Sequence, residues 1–154
     1  MLRRTALLLA ALAALLAAAP VAQADDASTY RAWTAENKTL AIHEDRLDKA
    51  LDAWARGGSN KAARERISKI RALIARRDEA VRAETTSSSK GAKGKSNALA
   101  MLRDYGAAML KLRAAVTGKR SQANSRLAEY NALIKRSRKY EDRALAYFEA
   151  AGVA

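Results

Sequence analysis

The sequence predicts an all-α protein, an up-down-up-down four-helix bundle that follows an N-terminal signal peptide. Three observations support this fold class. The single proline, Pro20, comes early, so no proline interrupts the remainder of the chain. Apolar residues recur at intervals of three and four in four later segments, which is the period of a helical face. Short links rich in glycine or serine separate these segments, and short links between long helices produce antiparallel hairpins.

The N-terminal segment, residues 1–24, has the three parts of a secretory signal peptide. It begins with Arg3 and Arg4, continues with an uncharged run of leucine and alanine, and ends with small residues up to Ala24. The apolar run is shorter than the roughly 20 residues that cross a bilayer. We therefore expect cleavage after Ala24, a periplasmic or secreted mature protein, and no transmembrane helix in that mature protein.

The apolar pattern sets the bounds of the four predicted helices, and the absence of a pattern defines one link. A stripe at intervals of seven begins at Trp33 in the first helix, and the apolar face of the second helix is interrupted once, by Arg77. Residues 85–96 combine serine, glycine and lysine without apolar periodicity, which predicts a flexible basic linker. The predicted helices cover approximately residues 28–56, 60–84, 97–117 and 120–151.

Polar residues interrupt the inner faces of the first and last helices at one level. If these helices pack antiparallel, Trp33 lies near Phe148, and the polar positions of both helices meet near mid-bundle. Buried polar groups need partners, so this layer either fixes the helix register by hydrogen bonding or forms a ligand site. The predicted polar inner layer is Asn37, His43, Glu44, Ser137, Tyr140 and Glu141.

Few chemical motifs accompany this layer. A ferritin-like di-metal site needs two Glu-x-x-His motifs, but the chain has one histidine and position 40 is leucine. A non-covalent haem bound by His43 and Met109 stays as an alternative. No cysteine, P-loop, nucleophile elbow or zinc-protease motif is present. We therefore expect a protein that is not an enzyme, with no metal and no cofactor.

The charge is strongly positive and unevenly distributed. The formal net charge is +13, of which Arg3 and Arg4 supply two, leaving +11 for residues 25–154. Such a surface attracts anionic partners, and export favours lipid headgroups, lipopolysaccharide or an acidic protein over nucleic acid. The expected partner-binding surface comprises Arg64, Lys69, Arg71, Arg76, Lys90, Lys93, Lys95, Lys135, Arg136, Arg138 and Lys139.

This general plan resembles that of small helical periplasmic chaperones and stress proteins, which are exported, basic and free of cysteine. The LTxxQ signature of one such group is absent here, so the resemblance covers architecture only. We expect an exported, non-enzymatic binding protein that is chaperone-like or associated with the envelope. Its partner would be anionic or partly unfolded. The alternatives are a ligand- or haem-carrying bundle that uses the layer around His43, and a self-assembling structural protein of the envelope.

Overall fold

A computed structural model describes residues 25–154; the predicted signal peptide, residues 1–24, lies outside them. The described chain begins with a short helical stretch, α1, at residues 25–34. One turn of 3₁₀ helix, Arg120–Gln122, precedes the last helix. No strand occurs between residues 25 and 154, so the predicted all-α class is confirmed. The four longer helices are α2 Asn37–Ala55, α3 Lys61–Ala83, α4 Ser89–Thr117 and α5 Ala123–Ala150.

These helices form the predicted up-down-up-down bundle. Helix α2 packs on α3, α3 on α4, and α4 on α5. Side chains at the predicted three- and four-residue spacing make up most of the buried core, because that spacing places them on one face of each helix. The largest fully buried apolar side chains are Ile67, Ile70, Val81, Leu102, Met109, Leu112 and Phe148.

The first predicted helix, residues 28–56, is in fact two helices. A turn at residues 35–36 separates α1 from α2, and Glu36 adopts a left-handed conformation with φ of 63°. The carboxylate of Glu36 pairs with Arg76 of α3 at 3.2 Å. The break leaves carbonyls at the end of α1 without helical partners, and the carbonyl of Trp33 accepts a hydrogen bond from Arg77 Nη2 instead.

Aromatic rings join α1 to the end of α5. The rings of Trp33 and Phe148 stack with centroids 5.7 Å apart, and Tyr30 meets Phe148 edge-on at 5.5 Å. Aromatic pairs in these arrangements stabilise a core beyond their buried area. The contact confirms the predicted antiparallel packing of the first segment against the last helix.

The predicted flexible linker at residues 85–96 is wrong from Ser89 onward, because α4 begins there and not near residue 97. The preceding Ser88 is the N-cap, and its hydroxyl accepts a hydrogen bond of 2.8 Å from the Gly91 amide. The buried carboxylate of Asp26 accepts further bonds from the Ser87 amide and the Ser88 hydroxyl. A helix N-terminus favours such a carboxylate. Serine and aspartate therefore start a helix where composition suggested a loop.

Two glycines of the same segment allow close packing within the first turns of α4. Gly91 and Gly94 are buried. A methyl carbon at Gly91 would overlap the carboxylate of Asp26, and one at Gly94 would lie 2.9 Å from the Phe148 ring. The absence of side chains at these positions lets α4 pack directly against α1 and α5.

Candidate functional site

A groove of about 440 Å³ opens between α2 and α5. It forms because α2 and α5 approach each other less closely than the other neighbouring helices do. Its apolar part consists of Leu40, Leu47, Met101, Met109 and Ile134. The polar groups that line it are Asn37, Glu44, Asp48, Arg77, Tyr105, Tyr130, Ser137, Arg138 and Glu141.

Arg77 is the unusual member of this lining. Its side chain is buried, with 4% of the residue exposed, and burial lowers the pKa of its guanidinium group. Nη2 donates to the carbonyl of Trp33, but the buried Nε has no hydrogen-bond partner. Arg77 forms no ion pair with any carboxylate in residues 25–154. A buried donor without a partner costs about 1–3 kcal/mol, so the groove contains an arginine with one unsatisfied donor, Nε.

Carboxylates near Arg77 are engaged elsewhere or held apart from it. Glu44 accepts a hydrogen bond from the hydroxyl of Tyr105, and burial together with this bond raises the pKa of Tyr105. Glu141 is exposed, and partial desolvation together with the adjacent charge of Asp142 raises its pKa. These acids lower the positive potential around Arg77 without satisfying its hydrogen bonds.

The groove brings together four of the six residues of the predicted polar inner layer. Asn37, Glu44, Ser137 and Glu141 line it, but His43 and Tyr140 do not. Desolvation and the positive charges of Arg66 and Lys69 on α3 lower the pKa of His43.

His43 thus lies on the α3 side of α2, away from the groove that contains Met109. The structure does not bring the proposed haem ligands into one cavity. No cluster of three metal-ligating residues occurs within the described part of the chain.

The lysines of the predicted linker make contacts within the chain. Lys90 donates to the carbonyl of Ala150 at 2.9 Å, and Lys95 donates to the carbonyl of Arg82 at 3.1 Å. The Lys93 ammonium lies 5.7 Å from the centre of the Tyr147 ring. Carbonyls at helix C-termini favour positive charge, so Lys90 and Lys95 join the start of α4 to the ends of α5 and α3.

The remaining predicted basic residues lie on α3 and α5, two helices that each pack on α4. Two of them are paired: Arg76 with Glu36, and Arg136 with the buried Asp104. Within residues 25–154 the others form no ion pair. On α3 these are Arg64, Lys69 and Arg71, and on α5 they are Lys135, Arg138 and Lys139.

Sequence patterns alone assign neither Arg77 nor Tyr105 to a site. Arg77 gave a signal, because it is the one charged residue that interrupts the apolar face of its helix. Tyr105 gave none, since its contact with Glu44 joins residues far apart in the chain.

The fold and the groove together define a class, an all-α four-helix bundle with an open seam between α2 and α5 that contains a buried arginine. Comparison of the chain with protein-family models, with curated proteins and with solved structures found no match. None of the helices in residues 25–154 is long and apolar enough to cross a membrane. Functional inference therefore depends on the residues themselves.

The unusual state of Arg77 predicts that Arg77→Met increases stability. Burial lowers the pKa of Arg77, so folding disfavours its charged form. Guanidinium groups in proteins are charged at neutral pH. Methionine keeps about the same side-chain length and removes the charge, but the hydrogen bond to the carbonyl of Trp33 is lost. We expect the free energy of unfolding to rise by about 1–2 kcal/mol in urea denaturation.

The control is Arg64→Met, an exposed position of the same helix. It should change the free energy of unfolding by less than about 0.5 kcal/mol. A decrease for Arg77→Met would show that the bond to Trp33 outweighs the cost of burying the charge.

Proposed function

We propose that this protein is an exported, non-enzymatic binding protein that attaches to phosphate-bearing anionic surfaces of the cell envelope through the basic face of α5. The observation that supports the proposal is the arrangement of Lys135, Arg138 and Lys139. They follow the i, i+3, i+4 spacing of a single helix face. All three are exposed and make no ion pair in the described chain.

The surroundings of these cations suit an extended anionic surface. They line a shallow depression with Tyr130, Ile134, Asn131 and Asp142. Among these neighbours only Asp142 is acidic, and of the three basic residues Arg138 also lines the groove that contains Glu44 and Glu141. Each basic residue held near an anionic membrane contributes about 1 kcal/mol of attraction. A helix face with three such residues can therefore hold a small protein at a surface reversibly.

The test is sedimentation of the purified protein with vesicles that contain phosphatidylglycerol in phosphatidylcholine. A variant with Lys135→Gln, Arg138→Gln and Lys139→Gln should lower the partition coefficient at least about tenfold. Binding by the unsubstituted protein should weaken steadily with added NaCl, because salt screens exposed charges.

A matched control removes the same number and type of charges elsewhere, through Lys38→Gln, Arg46→Gln and Lys61→Gln. These three residues are exposed. If both triple variants lose affinity equally, net charge and not the α5 face is responsible. Binding that persists unchanged at high salt would contradict the electrostatic mechanism.

A further inference from the structure

The groove between α2 and α5 contains a buried arginine that forms no ion pair within residues 25–154. Of the three residues proposed for surface attachment, Arg138 also lines this groove, whereas Lys135 and Lys139 do not. Arg77 lines the groove, and its Nε has no partner. We propose that the groove binds a small organic carboxylate with an apolar body, whose carboxylate contacts Arg77.

The chemistry of the Arg77 guanidinium group is the reason for proposing a carboxylate as the head group of the ligand. This group is planar and offers neighbouring N–H donors that match the two oxygens of a carboxylate. The bond from Nη2 to the carbonyl of Trp33 fixes the orientation of the plane, and the buried Nε has no hydrogen-bond partner. Three carboxylates, those of Glu44, Asp48 and Glu141, also line the groove. Their presence favours a single negative charge over a dianion such as a phosphate monoester.

The apolar body follows from the rest of the lining. Leu40, Met101, Met109 and Ile134 provide an apolar wall, and methionine adapts to ligands of irregular shape. The lining of α2 runs from Asn37 to Asp48, which is about 16 Å at 1.5 Å per residue. Arg77 lies near the first end, since it contacts Trp33. A volume of about 440 Å³ is in the range of small-molecule sites.

Isothermal titration calorimetry with sodium decanoate tests this proposal, and decanol and decylammonium serve as probes of the same chain length. We expect one decanoate per chain and at least about tenfold weaker binding of decylammonium. Arg77→Met should weaken decanoate binding at least about tenfold, as expected for the loss of charge-assisted hydrogen bonds. The same variant should change decanol binding less than about threefold. Equal losses for decanoate and decanol would overturn the assignment of the carboxylate to Arg77.

A second variant, Ile134→Trp, keeps Arg77 and fills the groove. It should weaken the binding of both decanoate and decanol, whereas substitution of Lys135 and Lys139 by glutamine should weaken the binding of neither. Loss of decanoate binding in the lysine variant but not in Arg77→Met would place the ligand on the basic surface and refute the proposal. The vesicle experiment does not involve Arg77, so either proposal can fail without the other.

Discussion

Replacing Gly91 by alanine is expected to lower the free energy of unfolding by about 3–5 kcal/mol. The new methyl group would overlap the carboxylate of Asp26, which is 1% exposed. Overpacking costs about 1–3 kcal/mol, and displacing the carboxylate also breaks its bonds to the Ser87 amide and the Ser88 hydroxyl. Urea denaturation followed by circular dichroism at 222 nm measures this loss.

Gly106 of the same helix provides the matched control. A methyl group there would lie 3.7 Å from Cγ2 of Ile74, which is an ordinary van der Waals contact. Since alanine favours a helix over glycine, Gly106→Ala should raise stability by up to about 1 kcal/mol. The two identical substitutions thus have opposite expected signs.

The cause of the Gly91 effect can be isolated with a double-mutant cycle. In an Asp26→Ala background, the carboxylate is gone and Gly91→Ala should cost at least about 1.5 kcal/mol less than in the original protein. If the two substitutions are additive, the cost at Gly91 does not arise from Asp26, and the packing described for the start of α4 is incorrect.

The same segment shows why sequence reasoning failed at one part of the fold. The periodicity of the long helices predicted the bundle, because the buried residues of each helix lie on one face of it. At residues 85–96 the stabilising partners are Asp26 and Phe148, both more than fifty positions away in the sequence. A local pattern of serine, glycine and lysine contains no information about such partners, so it resembled a flexible linker.

The groove was only partly predictable for a related reason. Antiparallel registration placed Asn37 and Glu44 at the level of Ser137 and Glu141, and all four residues line the groove. It could not specify rotation about the helix axis closely enough to show that His43 faces α3. The turn at residues 35–36 was also hidden, because Trp33 and Leu40 keep the seven-residue interval across it. That turn is what frees the carbonyl that orients Arg77.

Replacing Arg136 by alanine should lower the thermal midpoint by about 10 °C at pH 7. The Asp104 carboxylate is 2% exposed and accepts two hydrogen bonds from Arg136, one of them at 2.9 Å. Without Arg136 its remaining partner is the Nε of Arg103 at 3.4 Å. The variant therefore leaves a buried charge almost unpaired, whereas the converse variant, Asp104→Ala, leaves an exposed arginine that water can solvate. Differential scanning calorimetry should show the larger decrease for Arg136→Ala.

The pH dependence of this pair gives a second, independent measurement. Burial alone would raise the pKa of Asp104, but the hydrogen bond and charge of Arg136 outweigh it and lower that pKa. The stabilisation is therefore complete above the pKa of the unfolded aspartate, about 3.9, and is lost as the pH falls through the lower pKa of the folded state.

In Arg136→Ala, burial dominates, so protonation of Asp104 as the pH falls relieves the cost of burying an unpaired charge. The difference in thermal midpoint between the two proteins should consequently narrow from pH 7 to about pH 3, and a constant difference would show that Asp104 is not responsible. Arg103→Ala, which removes only the longer bond, should give a smaller difference at every pH.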